Sequence, residues 1–469
     1  MKIVLVSLPA SDTKESRSKI PLPLLCIAAY VRKTGHEPVI VDLFLHTPVS
    51  GKDPMDYYAE IVIKSIKENK PGLLGINCFT MIQFPVLREI MQRVRKVFPS
   101  LPSIIGGAHP TMFADDIINN CSEIDYIAIG EGELQIAALA DMIEKNDYSN
   151  IASVQSFAYR VNGKAVVNPR IDYIQDLDSL PMPTWDLVDF SQYHGDHSKW
   201  FNPKNKDITI AAPVVSSRSC PYRCSFCGVD KLMGSKYRTK SPKVVVDEIE
   251  YLYKKKGVNY FAFIDDNIAV NKKHLTELCD EIRNRKLDIL FSISQGLFLR
   301  NVDEEVVDML AKTGLATVTF PIEHGDAHIR NDIIGKNVQD EQIYRVVEIF
   351  KKYNVFTLAA FIMGFPEETN ETLQKTYDMI QRLSIDINYV FPLIPLPGTK
   401  VFEQVKRDNL FTYSFDASTT WQGHEDINGL RADQFYIKPY NMELTELFEW
   451  RQRFEKLKYY SERARALNL

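Results

Sequence analysis

Apolar residues recur along the first 145 residues in short runs, separated by longer amphipathic stretches. The runs predict five β-strands, at residues 2–9, 37–43, 73–79, 103–108 and 126–130. Between them, apolar residues follow helical spacing, for example in "LPLLCIAAYVRKTG" and "FPVLREIMQRVRKVF". Short apolar strands joined by helical crossovers predict a parallel, doubly wound α/β sheet of the Rossmann-like kind. Such sheets bind ligands at the carboxyl ends of their strands.

The pattern changes between residues 149 and 207, which we interpret as a linker after a first domain at 1–148. "VNGKAVVNPR" predicts a short hairpin. The following "DLDSLPMPTWDLVDFSQYHGDH" is rich in Pro, Asp and aromatic residues and has no periodicity.

The alternation resumes at residue 208 and continues to residue 400. Strands are predicted at 208–217, 260–265, 289–295, 316–323, 356–364 and 388–395, with helices between them. We expect helix N-caps at Asp340 and Asn370, and helix ends at Gly257 and Gly314. Six β/α units predict a partial (β/α)6 barrel of the TIM type, whose functional residues follow the strands. Residues 401–469 are expected to form a C-terminal helical extension that packs on the barrel.

Composition narrows the possible functions. A chain of 469 residues should form two or three domains. The net charge is -5 without a basic run, which disfavours nucleic acid as a partner. No apolar stretch reaches the roughly 18 residues of a membrane span. Seven cysteines, an odd number, without a secretory signal predict a cytoplasmic location. Four of them lie in apolar or amphipathic segments and are expected to be buried small hydrophobic residues: Cys26, Cys78, Cys121 and Cys279.

The other three cysteines, Cys220, Cys224 and Cys227, follow the first barrel strand in "SSRSCPYRCSFCGVD". Thiolates at the spacing C-x3-C-x2-C bind soft metals. Structural zinc takes four ligands, commonly from paired knuckles, and no second knuckle is present; only His194 and His197 of the linker could complete such a site. A 4Fe–4S cluster usually takes four cysteines, so three leave one iron open, as a catalyst requires.

This motif, with Phe226 before the last cysteine, resembles that of the radical S-adenosylmethionine superfamily, and the resemblance covers about residues 208–400. It implies that Cys220, Cys224 and Cys227 hold a 4Fe–4S cluster whose open iron is chelated by S-adenosylmethionine. An electron from the cluster, supplied by a donor such as flavodoxin or ferredoxin, then gives a 5′-deoxyadenosyl radical that removes hydrogen from an unactivated carbon.

The same resemblance implies contacts with S-adenosylmethionine at the ends of further strands. "AFIMGFPEE" is similar to the family's G-x-I-x-G-x-x-E element, with Ala360 in place of the first Gly. "PIEHGD" is similar to I-E-S-G, with His324 in place of Ser. "FIDDN" ends the second strand, where Asp265 and Asp266 could be polar contacts at the mouth or helix caps. The expected contacts with the cosubstrate are Phe226, Ser294, Gln295, Glu323, Ile362 and Gly364.

The first domain lacks the dinucleotide fingerprint G-x-G-x-x-G after its first strand. Its glycines instead follow the fourth and fifth strands, in "IIGGAHPT" and "IGEGE", where they allow close approach of a ligand. Together with "DLDSLPMPTWDL", these segments resemble the cobalamin-binding domain that precedes the barrel in one class of radical S-adenosylmethionine enzymes. The resemblance implies the strand order 2-1-3-4-5. The implied cobalamin contacts are Gly106, Gly107, His109, Gly130, Glu131 and Gly132.

No D-x-H-x-x-G signature is present, since Asp42 and His46 have the wrong spacing. This fits a cobalamin without a histidine ligand from the protein, and equally a domain that keeps the fold without the corrin.

The leading prediction is a cobalamin-dependent radical S-adenosylmethionine methyltransferase that acts on an unactivated carbon of a small-molecule or peptide substrate. Two alternatives stay open. One is a radical dehydratase, epimerase, cyclase or oxidoreductase of natural-product biosynthesis, for example of sugars, whose first domain has lost the corrin. The other is a sensor that binds the cluster or cobalamin without turnover.

Overall fold

A computed structural model describes residues 1–9, 20–170, 173–193, 201–208, 210–412, 422, 435–458 and 461–467. The chain divides into two compact units, made mainly of residues 1–195 and 196–469. Among the described residues, no helix combines the length and the apolar character needed to cross a bilayer.

The first unit is built on a seven-stranded sheet with the order β2-β1-β3-β4-β5-β6-β7. The first five strands pair in parallel in the predicted order 2-1-3-4-5. The strands are β1 (Lys2–Ser7), β2 (Glu37–Asp42), β3 (Leu73–Asn77), β4 (Ser103–Gly106), β5 (Tyr126–Ala128), β6 (Phe157–Val161) and β7 (Lys164–Val167). The helices are α1 (Leu22–Lys33), α2 (Pro54–Asn69), α3 (Gln83–Val97), α4 (Ala108–Met112), α5 (Ala114–Asn120) and α6 (Glu133–Lys145).

Alternate residues of the central strand β1 face two separate apolar cores. Val4 and Val6 pack with α2, α3 and α5, whereas Ile3 and Leu5 pack with α1 and α6. Because both faces of β1 are buried, its successive residues are apolar, and this continuous apolar run predicts the strand from the sequence.

The predicted hairpin is confirmed as β6 and β7, which pair antiparallel and extend the first sheet beside β5. Asn162 and Gly163 connect them with φ angles of 49° and 78°, the left-handed conformation that a two-residue hairpin turn of this kind requires. The segment predicted as a linker therefore begins with two strands of the first sheet.

The second unit is a partial barrel of six parallel strands with the order β15-β14-β13-β12-β11-β8, as predicted. The strands of this unit are β8 (Ala211–Val214), β9 (Ser217–Arg218), β10 (Arg238–Thr239), β11 (Tyr260–Phe263), β12 (Leu290–Ile293), β13 (Leu315–Glu323), β14 (Phe356–Met363) and β15 (Ile387–Pro392). The short strands β9 and β10 form a separate antiparallel pair.

The helices are α7 (Val229–Met233), α8 (Pro242–Lys256), α9 (Lys272–Asn284), α10 (Glu304–Thr313), α11 (Asp340–Lys351), α12 (Asn370–Arg382), α13 (Lys400–Arg407), α14 (Leu444–Glu455) and α15 (Glu462–Leu467). Gly257 and Gly314 end α8 and α10 in the left-handed conformation, as predicted.

The predicted N-caps of α11 and α12 are each wrong by one residue. Gln339 precedes α11, where Asp340 instead pairs with the guanidinium of Arg330. Thr369 caps α12 because its hydroxyl accepts the Thr372 backbone N–H at 3.2 Å.

The described part of the C-terminal extension packs on the barrel unit, as predicted, and contains the helices α13, α14 and α15. Trp450 and Phe454 of α14 lie against Tyr377 of α12, with ring centroids 6.2 and 6.1 Å apart. Arg463 of α15 bonds the carboxylate of Asp386 at 2.6 and 2.7 Å, next to the amino end of β15. The extension thus contributes to both the outer face and the amino-terminal end of the barrel.

Candidate functional site

The concave face of the barrel is lined by half-buried side chains. On β14, Leu358, Ala360 and Ile362 are half-buried and alternate with the fully buried Ala359 and Phe361. The register pairs Ala262 with Pro213 and Ser292, and Pro321 with Ala360, so this face carries mostly small side chains.

All three clustered cysteines lie in the loop that follows β8, at the carboxyl end of the barrel. Cys220, Cys224 and Cys227 are free thiols and are partly buried. A backbone hydrogen bond of 3.1 Å from the Cys227 N–H to the Cys224 carbonyl folds the end of this loop into a turn.

The three thiols do not form a preassembled zinc site in the part of the chain that the structure describes. Within the described ranges, the one trio of His, Cys, Asp or Glu side chains whose ligand atoms lie within 4.8 Å of one another is His36, Asp141 and Glu144 of the first unit. The three thiol sulfurs are therefore spread more widely than this. Tetrahedral zinc with Zn–S bonds of about 2.3 Å would draw its sulfurs to about 3.8 Å from one another. His194 and His197, the other zinc candidates, lie outside the described residues.

Asp265, at the carboxyl end of β11, anchors the start of the cysteine loop. Its carboxylate accepts the Ser216 N–H at 3.0 Å and the hydroxyls of Ser216 and Ser217 at 2.7 and 2.5 Å. The side chain is fully buried, and burial raises the pKa of this carboxyl in spite of the serine hydrogen bonds. Asp265 is therefore a structural contact of the loop.

The two residues that follow act on the same loop. Asp266 accepts the Ser219 N–H at 3.0 Å and so supports Ser219 in a left-handed conformation, with φ 77°. Asn267 directs its amide to the Cys220 sulfur at 3.8 Å. The alternative that the acidic pair caps a helix is wrong, because Asn271 caps the next helix, α9. One strand end thus positions the whole first half of the cysteine loop.

Burial raises the pKa of each of the three thiols, to about 12 for Cys227. The charge of the Lys336 ammonium opposes this shift at Cys220 and Cys224. Without a metal the thiols are therefore protonated near neutral pH, and a bound metal must displace their protons.

Sequence reasoning missed Lys336, which is buried and forms an ion pair with Glu323 at 2.7 Å. Glu323 ends β13 in the left-handed conformation, with φ 71°, beside a bulge in the sheet. Glu323, predicted to contact the cosubstrate, is therefore at the carboxyl end of the barrel and paired with a cation. A lysine in "DIIGKN" gives no hint of this pairing, since it arises from the fold of the loop between them.

His324, which replaces the Ser of the family motif, is fully buried and holds the next strand end. Its Nδ1 accepts the Asp326 N–H at 3.0 Å, so its Nε2 carries the proton and donates to Glu368 at 3.1 Å. The other Glu368 oxygen accepts the Gly364 N–H at 3.1 Å. This network fixes the turn after β14 at Gly364, where φ is 92°.

The other predicted cosubstrate contacts are spread over the same end of the barrel. Ser294 and Gln295 are exposed directly after β12. Ile362 is half-buried on the concave face, and Phe226 packs edge-on against Phe365, with centroids 6.4 Å apart. The structure thus places all six predicted contacts at the carboxyl ends of barrel strands.

In the first unit, the predicted glycines differ in what they do. A Cβ on Gly107, where φ is 110°, would collide with the Cys78 carbonyl and lie 2.8 Å from the Asn77 side chain. Gly107 is therefore required by packing. A Cβ on Gly106 would only reach ordinary contact with Ala128, at 3.6 and 3.7 Å. The end of β4 therefore presents bare backbone to a ligand.

The remaining predicted contacts of the first unit are partly occupied by the protein itself. His109 is buried, with its ring 4.6 Å from Phe84 and 4.8 Å from Phe113. Glu131 accepts the Ile174 N–H at 2.8 Å. Gly130 has a φ of 77°, and Gly132 caps α6. A Cβ on Gly130 would collide with the Arg170 side chain and lie 2.9 Å from the Leu232 carbonyl, and a Cβ on Gly132 would lie 3.1 Å from Ile27, so all four residues have close neighbours within the protein.

Asp42, whose spacing from His46 does not fit the D-x-H-x-x-G signature, is a buried polar group at the carboxyl end of β2. Its carboxylate accepts the Tyr193 hydroxyl at 2.7 Å and the Phe44 N–H at 3.1 Å. Burial raises the pKa of Asp42, with both hydrogen bonds opposing the shift. The carboxylate of Asp42 is thus engaged in hydrogen bonds within the protein and has a structural role.

Comparison with known proteins connects both units to families. Residues 214–380 match the model of the radical SAM superfamily, and residues 19–140 match that of the B12 binding domain. The chain is 28% identical over 465 residues to an uncharacterized methyltransferase of Pyrococcus horikoshii, which covers 96% of this chain and 95% of the relative. It is also 28% identical to the anaerobic magnesium-protoporphyrin IX monomethyl ester cyclase of Rubrivivax gelatinosus, over 83% of this chain and 67% of the relative.

A solved structure shares the fold over the full length. The radical S-adenosylmethionine methyltransferase TsrM from Kitasatospora setae, with cobalamin and a 4Fe–4S cluster bound, superposes with a TM-score of 0.71. The two chains are 17% identical, and the match covers 100% of this chain and 99% of that one. With the two family models and the full-length relative, this places the chain among the cobalamin-binding radical S-adenosylmethionine enzymes of the methyltransferase-like class.

Proposed function

We propose that the protein is a cobalamin-dependent radical S-adenosylmethionine methyltransferase that acts on an unactivated carbon of a small molecule. The observation that carries this proposal is the cysteine loop. Three free thiols, and no fourth nearby among the described residues, are held at the carboxyl end of the barrel by Asp265, Asp266 and Asn267.

Cys220, Cys224 and Cys227 would hold the 4Fe–4S cluster, and the donor set fits, because thiolates are the ligands of such clusters. When bound, the cluster supplies the electron that cleaves S-adenosylmethionine, and cobalamin supplies the methyl group. The protein supplies three ligands, which would leave one iron open, and it partly buries the thiols, which limits access of water to the reacting atoms. A donor such as flavodoxin or ferredoxin would deliver the electron.

S-adenosylmethionine would extend from the open iron along the strand ends. Ile362 and Gly364 offer an apolar side chain and a rigid turn, and Phe226 adds a ring beside the cysteines. Ser294 and Gln295 would meet its polar methionine end, since both are exposed directly after β12. Glu323 would accept from the ribose hydroxyls or the amino group.

Cobalamin would lie on the carboxyl ends of β4 and β5. Gly106 leaves the end of β4 without a side chain, which suits close approach of a large flat ring, and Gly107, Gly130 and Gly132 would meet the ring through their backbone. His109 is buried between two phenylalanine rings, so it would support this edge from below and leave the cobalt without a histidine ligand.

The test is anaerobic purification with cobalamin supplied, followed by iron and corrinoid analysis and incubation with S-adenosylmethionine and dithionite. We expect four irons and one corrinoid per chain, and formation of both 5′-deoxyadenosine and S-adenosylhomocysteine. Zinc in place of iron would contradict the cluster. Cluster-dependent 5′-deoxyadenosine without S-adenosylhomocysteine would contradict methyl transfer.

A second candidate is radical cyclisation, favoured by the match to the Rubrivivax gelatinosus cyclase. Product masses from candidate substrates separate the two. Methyl transfer adds the mass of a methylene group, whereas cyclisation or dehydration leaves the mass unchanged or lowers it, with 5′-deoxyadenosine as the accompanying product.

A further inference from the structure

A buried ion pair lies within electrostatic reach of the cysteine loop, and the catalytic proposal above does not use its cation. Lys336 and Glu323 are 7% exposed each, and their charged atoms are 2.7 Å apart. Burying a charged side chain is costly unless an opposite charge pairs with it. Removing one member of the pair leaves the other charge buried and uncompensated.

Two independent contacts hold the Lys336 segment against the cysteine loop. The Ser225 N–H, between Cys224 and Cys227, donates to the Ile334 carbonyl at 3.0 Å. The Lys336 ammonium also lies 5.1 Å from the centre of the Phe298 ring, which packs 4.3 Å from the ring of Tyr222, between Cys220 and Cys224.

The loop that carries Lys336 is itself rigid. Arg330 is fully buried, and its guanidinium donates to the carbonyls of Val338 and His324, each at 2.9 Å. The Lys336 N–H donates in turn to the Arg330 carbonyl at 3.0 Å. These bonds fix the backbone of the segment, and burial together with the Glu323 ion pair holds the ammonium.

These contacts place the buried ammonium beside the loop that carries the thiols. A cation at this place stabilises negative charge on the sulfurs, and each electron added to a thiolate-bound cluster adds negative charge.

We propose that Lys336 is a positioning residue that sets the reduction potential of the cluster, with Glu323 as the opposing charge that moderates it. The inference rests on the cluster assigned under the proposed function. It goes beyond that function because it concerns the energy of electron entry, which the cysteine motif does not determine.

The experiment is a redox titration of the anaerobically reconstituted full chain, followed by electron paramagnetic resonance and performed before S-adenosylmethionine is added. Lys336→Met removes the cation and should move the midpoint potential to a more negative value. Glu323→Gln removes the anion and should move it to a more positive value. The double variant should return towards the wild type, and Lys336→Arg should stay close to it.

Opposite signs for the two single variants are the decisive outcome, since a merely structural pair would shift both in the same direction or leave both unchanged. Either of those results overturns the proposal. Lys375→Met is the matched control, because Lys375 pairs with Asp326 of the same loop at 3.0 Å but is half-exposed, and it should not move the potential.

Iron analysis separates failure of the proposed function from failure of the inference about Lys336. Wild-type protein without a cluster would contradict the proposed function, whereas a loaded protein with an unshifted potential would contradict this inference alone. If Lys336→Met retains too little iron, Glu323→Gln decides, because it is nearly isosteric. A positive shift then supports the proposal and any other result refutes it.

Discussion

The two units present opposite surfaces at the carboxyl ends of their strands. In the barrel, those ends carry charged groups that have partners within the protein, such as Asp265, Asp266, Glu323 and Lys336. In the first unit, the ends of β4 and β5 carry glycine, and the acidic groups Glu131 and Asp42 accept hydrogen bonds from Ile174 and Tyr193. A cluster needs donors at fixed positions, whereas a corrin needs an unobstructed edge, so the same sheet end is built in two ways.

The largest expected effect is at the cysteine loop. Cys224→Ala removes one of three ligands and should abolish both four-iron loading and reductive cleavage of S-adenosylmethionine. Iron analysis and quantification of 5′-deoxyadenosine measure this. The matched control is Cys279→Ala, which shortens a buried thiol of α9 and should keep the cluster. Retained cleavage in Cys224→Ala would refute the ligand assignment.

The second effect concerns how that loop is held. Asp265→Ala leaves the buried Ser216 and Ser217 donors without their acceptor, and should lower the free energy of unfolding by about 3 kcal/mol. Iron loading should fall with it, because the loop loses its anchor. Asp280→Ala, which breaks an exposed pair with Arg283, is the control and should cost at most about 1 kcal/mol. Urea unfolding and iron analysis give both numbers. Full loading of Asp265→Ala would show that the loop is held by other contacts.

The third effect tests the glycine edge of the first unit. Gly106→Ala should leave the free energy of unfolding within about 0.5 kcal/mol of the wild type. It should nevertheless weaken cobalamin binding about tenfold, corresponding to about 1.4 kcal/mol, because the new methyl group occupies the bare edge. Gly107→Ala is the contrasting variant, and should destabilise the fold by about 3 kcal/mol, because its Cβ collides with the Cys78 carbonyl.

Equilibrium dialysis of cobalamin against each glycine variant separates the two roles. Unchanged cobalamin affinity in Gly106→Ala would show that the corrin does not bind at the end of β4. The glycines of this edge would then have a packing role only.

The contrast between the units also explains what the sequence could predict. Strands and their order follow from apolar runs and short crossovers, and the three cysteines follow from donor spacing. The Glu323–Lys336 pair could not be foreseen, because it joins residues 13 apart through a bulge and a loop. His324 likewise took its role from Glu368, 44 residues away. Pairings made by the tertiary fold leave no periodic trace, whereas elements and metal motifs do.

The smallest expected effect is a pH dependence in the first unit. Burial raises the pKa of Asp42, so the folded state binds its proton more tightly than the unfolded state. The free energy of unfolding contributed by this group is therefore largest in acid, and falls as pH rises from near the ordinary carboxyl pKa of 3.8 through the raised value. Asp42→Asn removes this loss. Its stability relative to the wild type should increase across that window and then stay level.

Asp53 provides the control of opposite sign. Asp53 is exposed, and hydrogen bonds from the Asp56 and Met55 backbone at the start of α2 lower the pKa of its carboxyl. Its contribution to the free energy of unfolding therefore appears as pH rises. Asp53→Asn should therefore lose stability relative to the wild type as pH rises from the lowered pKa to the ordinary carboxyl pKa of 3.8, just below the range in which Asp42→Asn gains it. Urea midpoints of the apoprotein at several pH values measure both differences. If the two variants changed in the same direction, burial would not raise the pKa of the Asp42 carboxyl in the folded protein.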